Sequence, residues 1–167
     1  MSSFGEGKEF VTGWVHGRFE KGATCLDVGA CDGIWYKRLG DYLVMDAVEV
    51  YKPNIERNGL EGMYRSVFCG DIANYEYEWY DLIIFGDVIE HMSVDTAQRV
   101  LEYAKSRCKD MIVSVPFLYR QGASYGNQWE AHIQEDLTPE VFERRYPDLK
   151  MIYYPLPNYA YYAKANK

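Results

Sequence analysis

Cysteine is scarce and scattered. The chain has 4 of them (Cys25, Cys31, Cys69 and Cys108), with no Cys-x-x-Cys pair. That excludes zinc-ribbon spacing and a secreted disulfide framework, and it fits reduced, mostly buried thiols in a cytoplasmic protein. Histidine is scarcer still, at 3. No run approaches the ~20 apolar residues that span a bilayer. The N-terminus carries no apolar signal-peptide core, so neither membrane contact nor export is expected. Basic residues are in deficit: 18 Lys and Arg stand against 25 Asp and Glu, a net charge of -7. This balance argues against nucleic acid as a partner gripped by charge alone, although Arg18, Lys21, Lys37 and Arg38 could still form a local patch. No G-x-x-x-x-G-K-[ST] occurs, which excludes a P-loop enzyme. Repeats, low-complexity tracts and linkers are also missing.

What remains is 167 residues, 48% of them hydrophobic, enough for one domain with a substantial core. Helical and extended patterns alternate. Residues 6–18 read as a helix, with Phe10, Val11, Trp14 and Val15 on one face. Residues 24–28 form a short apolar strand that runs into glycine, and 33–39 a short helix stopped by Gly40. Strands are expected over 47–50 and 63–68, with a helix between them that opens at Pro53 and ends at Gly59. Asp81–Phe85 is the clearest buried strand. The helix after it spans about 94–107, capped by Ser93, and is followed by a strand over 111–115 that Pro116 stops. Thr138-Pro139-Glu140 opens another helix. Residues 151–154 and 159–163 flank Pro155-Leu156-Pro157-Asn158 as an antiparallel hairpin, and its β propensity accounts for the tyrosines between Tyr153 and Tyr162. Five strands joined by crossovers, then a hairpin, predict an α/β fold: a doubly wound, Rossmann-like, mostly parallel seven-stranded sheet with a C-terminal antiparallel hairpin. Residues 117–137 have no clear period and form a connection longer than most; such loops are usually functional or disordered.

Ligands of such sheets bind outside the carboxyl ends of the strands. Four expected strand ends carry acids or glycine: Asp27-Val28-Gly29-Ala30-Cys31-Asp32-Gly33, then Glu49, then Gly70-Asp71-Ile72, then Gly86-Asp87-Val88-Ile89-Glu90-His91. Glycine lets a ligand approach the backbone, and an acid can accept both hydroxyl hydrogens of a ribose. A nicotinamide site would need G-x-G-x-x-G, which the window from Gly29 to Ile34 fails at both later glycines.

In these four segments the chain resembles the class I S-adenosylmethionine-dependent methyltransferases of small-molecule type, from about Ala23 to Pro116. Asp27, Gly29 and Gly33 match the first motif, while Cys31 stands where a middle glycine is common. The resemblance implies S-adenosylmethionine as cofactor. It places Asp27, Gly29, Ala30, Asp32 and Gly33 in the first binding turn, Glu49 and Val50 at the ribose, Asp71 and Ile72 at the adenine, and Gly86, Asp87 and Val88 beside the methionine. It also divides the chain into an N-terminal helix (1–22), a cofactor half (23–116), a substrate loop (117–137) and a helix with the final hairpin (138–167).

Methyl transfer needs a base only where the acceptor must lose a proton. The segment Asn127-Gln128-Trp129-Glu130-Ala131-His132 resembles one that follows strand five in some of these enzymes, and it makes His132 and Glu130 the catalytic candidates, with His91 beside them. His16 reads as a surface helix residue. Metal binding by Glu130, His132 and His91 has no support from spacing, so no metal is expected. Trp35, Tyr51, Tyr119, Tyr125 and Trp129 suggest an aromatic-lined pocket. No Asp/Asn-Pro-Pro-aromatic stretch follows strand four, which speaks against a DNA amino-group methylase. A small-molecule substrate is expected, with oxygen the favoured acceptor atom. RNA methylation, and a weakly active cofactor-binding subunit of a larger complex, remain the alternatives. A homodimer stays open.

Overall fold

A computed structural model describes residues 5–123 and 126–164. Tyr125, the first four residues and the last three lie outside the described residues. The order of elements is α1 (Lys8–His16), β1 (Thr24–Val28), α2 (Ile34–Leu39), β2 (Val44–Glu49), α3 (Lys52–Asn58), β3 (Val67–Cys69), β4 (Tyr80–Gly86), α4 (Val94–Ser106), β5 (Cys108–Pro116), α5 (Pro139–Arg145), β6 (Leu149–Leu156) and β7 (Tyr159–Lys164). Seven strands form one sheet in the order β3-β2-β1-β4-β5-β7-β6. The first five run parallel, and β7 is antiparallel to both β5 and β6.

The period of two along each central strand builds a core on both faces. Ile83 and Phe85 of β4 pack with the α4 stripe of Ala97, Val100, Leu101 and Ala104. Leu82 and Ile84 point the other way, toward Val11 and Val15 of α1, Leu39 of α2 and Ile55 of α3. The hairpin tyrosines divide in the same way: Tyr162 stacks on Phe142, with ring centroids 3.9 Å apart, while Tyr159 and Tyr161 join the opposite face. Ser93 caps α4 by accepting from Thr96 N, and Thr138 caps α5 by accepting from Val141 N, as their sequence positions imply.

Several boundaries differ from expectation, each for a local reason. β2 starts at Val44 rather than 47 because Asp46, which looks like a strand breaker, is satisfied inside the sheet. Its carboxylate accepts from Arg65 Nε, Ser66 Oγ and Tyr80 OH, each at 2.9 Å. β3 is only Val67–Cys69, since Met63 and Tyr64 belong to a turn instead of a strand. β5 begins at Cys108, with Asp110 paired opposite Leu82 of β4 and its carboxylate accepting from Met111 N at 2.9 Å. β6 runs through Pro155, which an edge strand with shifted register tolerates, so the hairpin turn is narrower than expected.

Candidate functional site

The carboxyl ends of the parallel strands open into one cavity of about 620 Å³. It lies where the strand order reverses between β1 and β4, the position topology favours for a ligand. The β1–α2 turn forms one wall. Gly29, Cys31 and Gly33 have φ of 72°, 46° and 71°, so three alternate residues are left-handed. Cys31 therefore holds a backbone shape that glycine adopts freely, and Asn58 Nδ2 donates to its carbonyl at 2.8 Å. A Cβ on Gly29 would meet Val88 Cγ2 at 2.6 Å. Gly29→Ala is expected to lower stability by about 1–2 kcal/mol from the left-handed backbone alone, and to push Val88 into the cavity. Thermal unfolding with and without ligand checks both effects.

The acids occupy distinct positions. Glu49 is 4% exposed; its Oε2 accepts from Cys31 N and its Oε1 from Tyr51 N, both at 2.8 Å. Burial raises its carboxyl, and these backbone bonds oppose the rise. Asp71 accepts from Ala73 N at 2.9 Å and so caps a short 3₁₀ turn that presents the buried Ile72 to the cavity. Asp87, held at φ 57°, accepts from Ser114 Oγ at 2.9 Å and from Tyr159 OH at 2.6 Å. Asp27 lies beneath the turn and accepts from Tyr64 OH at 2.5 Å. Burial pushes its carboxyl up to about 7, against the Tyr64 bond and the charge of Lys8. Lys8 is itself buried, 4.6 Å over the Trp35 ring; burial lowers its pKa, while Asp87 and Asp27 raise it.

The facing wall comes from residues 117–123 and 126–137, through Tyr119, Gln121, Asn127, Trp129, Glu130 and His132. Side-chain amides and backbone bonds fasten this segment, which explains why it shows no apolar period. Glu90 O accepts from Ile133 N and Gln134 N at 2.8 and 3.0 Å. Gln134 Nε2 donates to Ile89 O at 2.8 Å, and His132 N donates to Gln121 O at 2.8 Å. Glu130 is steadied by Gln121 Nε2 and Asn127 Nδ2, each at 3.3 Å. The His91 and His132 rings meet edge to face with centroids 4.7 Å apart. Burial lowers the His91 pKa and the neighbouring His132 adds to this, while the bond to Ala131 O opposes it. Burial raises the Glu90 carboxyl well above its ordinary range, and Asp87 raises it further.

The cavity thus gathers Gly29, Ala30, Asp32, Glu49, Val50, Asp71, Ile72, Gly86, Asp87 and Val88 on one side, with His91, Glu130 and His132 opposite. Asp27 and Gly33 are outside its lining and support the turn from below. Trp35, Tyr119 and Trp129 line it; Tyr51 does not. His16 is exposed, against Tyr42, and away from the cavity. Sequence reading missed Ser114 and Tyr159, the donors that hold Asp87. In sequence Tyr159 is one tyrosine of the hairpin cluster, and nothing local links it to a residue 72 positions earlier.

No protein-family model matches the sequence, and no curated protein matches it. Solved structures do match. One is a S-adenosylmethionine-dependent methyltransferase from Clostridium acetobutylicum ATCC 824, with a TM-score of 0.72 and 12% identity, covering 93% of this chain and 88% of that one. The DhpI–SAM–HEP complex also has a TM-score of 0.72 and 12% identity, over 98% of this chain and 89% of the other. A third is 1,6-didemethyltoxoflavin-N1-methyltransferase from Burkholderia thailandensis, with a TM-score of 0.66 and 18% identity, over 95% and 77%. At these identities the likeness is one of architecture. The chain has the Rossmann-like fold of the S-adenosylmethionine-dependent methyltransferases.

Proposed function

We propose that the protein transfers a methyl group from S-adenosylmethionine to a small-molecule acceptor, with oxygen as the favoured atom. One observation carries the reading: a single cavity joins an acid-lined strand edge to a histidine- and glutamate-bearing wall. The strand edge fits the cofactor's chemistry. Asp32, Glu49, Asp71 and Asp87 line it and suit a ligand bearing a sulfonium and an ammonium group. Each Glu49 oxygen accepts one backbone N–H and the Asn54 side chain also bonds the carboxylate, which leaves acceptor capacity on a group with roughly four acceptor positions for a ribose hydroxyl. Ile72 offers an apolar surface to a base. Two neighbours in fold, the DhpI complex and the toxoflavin-type enzyme, are named as holding SAM or S-adenosylhomocysteine. The cavity volume also lies within the ~300–1,000 Å³ typical of small-molecule sites.

S-adenosylmethionine, when bound, supplies an electrophilic methyl group. The protein's own residues position the acceptor and exclude water, which can provide much of the acceleration of an in-line displacement. A carbonyl can only accept, so the contact between His132 Nδ1 and Tyr119 O at 2.9 Å puts the ring proton on Nδ1. Nε2 then carries the basic lone pair. His132 and the steadied carboxylate of Glu130 are the groups that take the proton of a hydroxyl acceptor, with His91 packed behind.

The test is methyl-labelled S-adenosylmethionine mixed with the protein and separate pools of metabolites and RNA. Label in a small-molecule fraction is expected. Label in RNA would replace the acceptor class. Cofactor binding with no transfer to any pool, relieved by a partner from the same cells, would point instead to a subunit of a larger enzyme.

A further inference from the structure

We propose that Glu90, His91 and His132 form a binding site for a divalent transition-metal ion at the acceptor side of the cavity. A ligand atom from each of the three side chains lies within 4.8 Å of the others. Glu90 is 1% exposed, and both its carboxylate oxygens are buried without a hydrogen-bond partner among the described residues. Burying such a group without a partner is costly, and a coordinated cation removes the cost. Its own backbone is not idle: Glu90 O receives both Ile133 N and Gln134 N, which holds the segment bearing His132 against the residue bearing the carboxylate.

The two rings are prepared for the same task. His91 Nδ1 lies 3.1 Å from Ala131 O and His132 Nδ1 lies 2.9 Å from Tyr119 O. Carbonyls accept only, so both rings carry their proton on Nδ1, and Nε2 is the nitrogen each offers to a metal. Metal-binding histidines usually have this second tie to a backbone carbonyl or carboxylate. In a tetrahedral zinc site with bonds of about 2.0–2.1 Å, ligand atoms sit roughly 3.4 Å apart. Glu90, His91 and His132 each already place one ligand atom within 4.8 Å of the other two, so modest side-chain rotations bring the three toward that spacing. Two imidazoles with one carboxylate favour zinc, manganese, iron(II) or cobalt over magnesium and calcium, which prefer oxygen alone. His91 and His132 line the cavity, so a fourth coordination position would face it, as in catalytic rather than structural metal sites.

The site's existence stands on these side chains; its role rests on the methyl-transfer reading. A hydroxyl oxygen of the acceptor in the open position becomes more acidic. Its proton passes to Glu130 and on to water, an oxygen lone pair forms the bond to the methyl carbon, and the electron pair of the broken carbon–sulfur bond stays on sulfur. His132 then serves as a ligand and Glu130 as the base. The acceptor class narrows to molecules with a hydroxyl, or adjacent oxygens, that can coordinate.

The test uses the full chain, stripped with a chelator and titrated calorimetrically with zinc(II), manganese(II) and magnesium(II). Zinc or manganese should bind with one ion per chain, at least 100-fold tighter than magnesium. Binding should be lost in Glu90→Gln and, separately, in His132→Ala, with folding of each variant checked by circular dichroism. His132→Ala keeps the test open should the core variant fail to fold. No saturable binding by the wild type, or full binding by a folded variant, would overturn the site. Cofactor binding by the wild type is measured in parallel: its absence beside intact metal binding would remove the methyl-transfer reading and leave the metal site standing.

Discussion

Glu49→Ala should weaken S-adenosylmethionine binding by about 100-fold, read by calorimetry. Two effects add. The carboxylate is expected to accept from the ribose hydroxyls, and hydrogen bonds to charged groups contribute about 1.5–3 kcal/mol each; a 100-fold loss corresponds to about 2.8 kcal/mol. Glu49 also bridges Cys31 N and Tyr51 N, tying the β1–α2 turn to the end of β2. Without it, Cys31 loses a bond that holds its left-handed backbone at φ 46°. Glu49→Gln should be weaker than wild type by less, because its amide has one oxygen for two backbone donors. An unchanged affinity in Glu49→Ala would place the ribose elsewhere.

Asp27→Asn should stabilise the unliganded protein above pH 7 and do little at pH 4. The ordinary aspartate value is 3.8, and burial pushes the folded one up to about 7. Below pH 3.8 both the folded and unfolded chains hold the proton. Between there and about pH 7 the folded protein keeps it while the unfolded chain gives it up, so stability falls as pH rises; above pH 7 the loss is constant. A shift of that size is worth about 4 kcal/mol at 1.36 kcal/mol per unit. Asparagine keeps an acceptor for Tyr64 OH but leaves an amide N–H where Oδ1 has no partner, so the net gain should be about 2–3 kcal/mol. For a chain of this size that is an increase in Tm of roughly 5–10 °C. Thermal unfolding from pH 4 to 8 reads it, and a gap between variant and wild type that narrows toward pH 8 would contradict the assignment. Should the cofactor's positive charge fall near Asp27, the same variant will bind it less well. Stability would then be sacrificed for a negative charge under the turn.

The legible parts of this protein are the local ones. The glycines of the β1–α2 turn, Glu49 at the end of β2, Asp71 before its short turn and Asp87 after β4 could be read because each stands at a strand end, where topology puts ligands. The Ser93 and Thr138 caps were equally plain, since a cap and its target are three residues apart. Asp46 hid half a strand, because its partners Arg65, Ser66 and Tyr80 are 19, 20 and 34 residues away. Tyr159 could not be connected to Asp87 before β7 was seen beside β5. Glu90 belonged to a recognised segment, yet no pattern in that segment says that its carboxylate is buried without a partner. The loop over 117–137 looked shapeless because Gln121, Asn127 and Gln134 hold it through amides, not through an apolar face.

The central claim is that the strand-end cavity binds S-adenosylmethionine. Calorimetric titration of S-adenosylmethionine into the wild-type protein and Glu49→Ala tests it most directly. The expected result is saturable binding of one molecule per chain, about 100-fold weaker in the variant. Absence of both binding heat and thermal stabilisation in the folded wild type would contradict it.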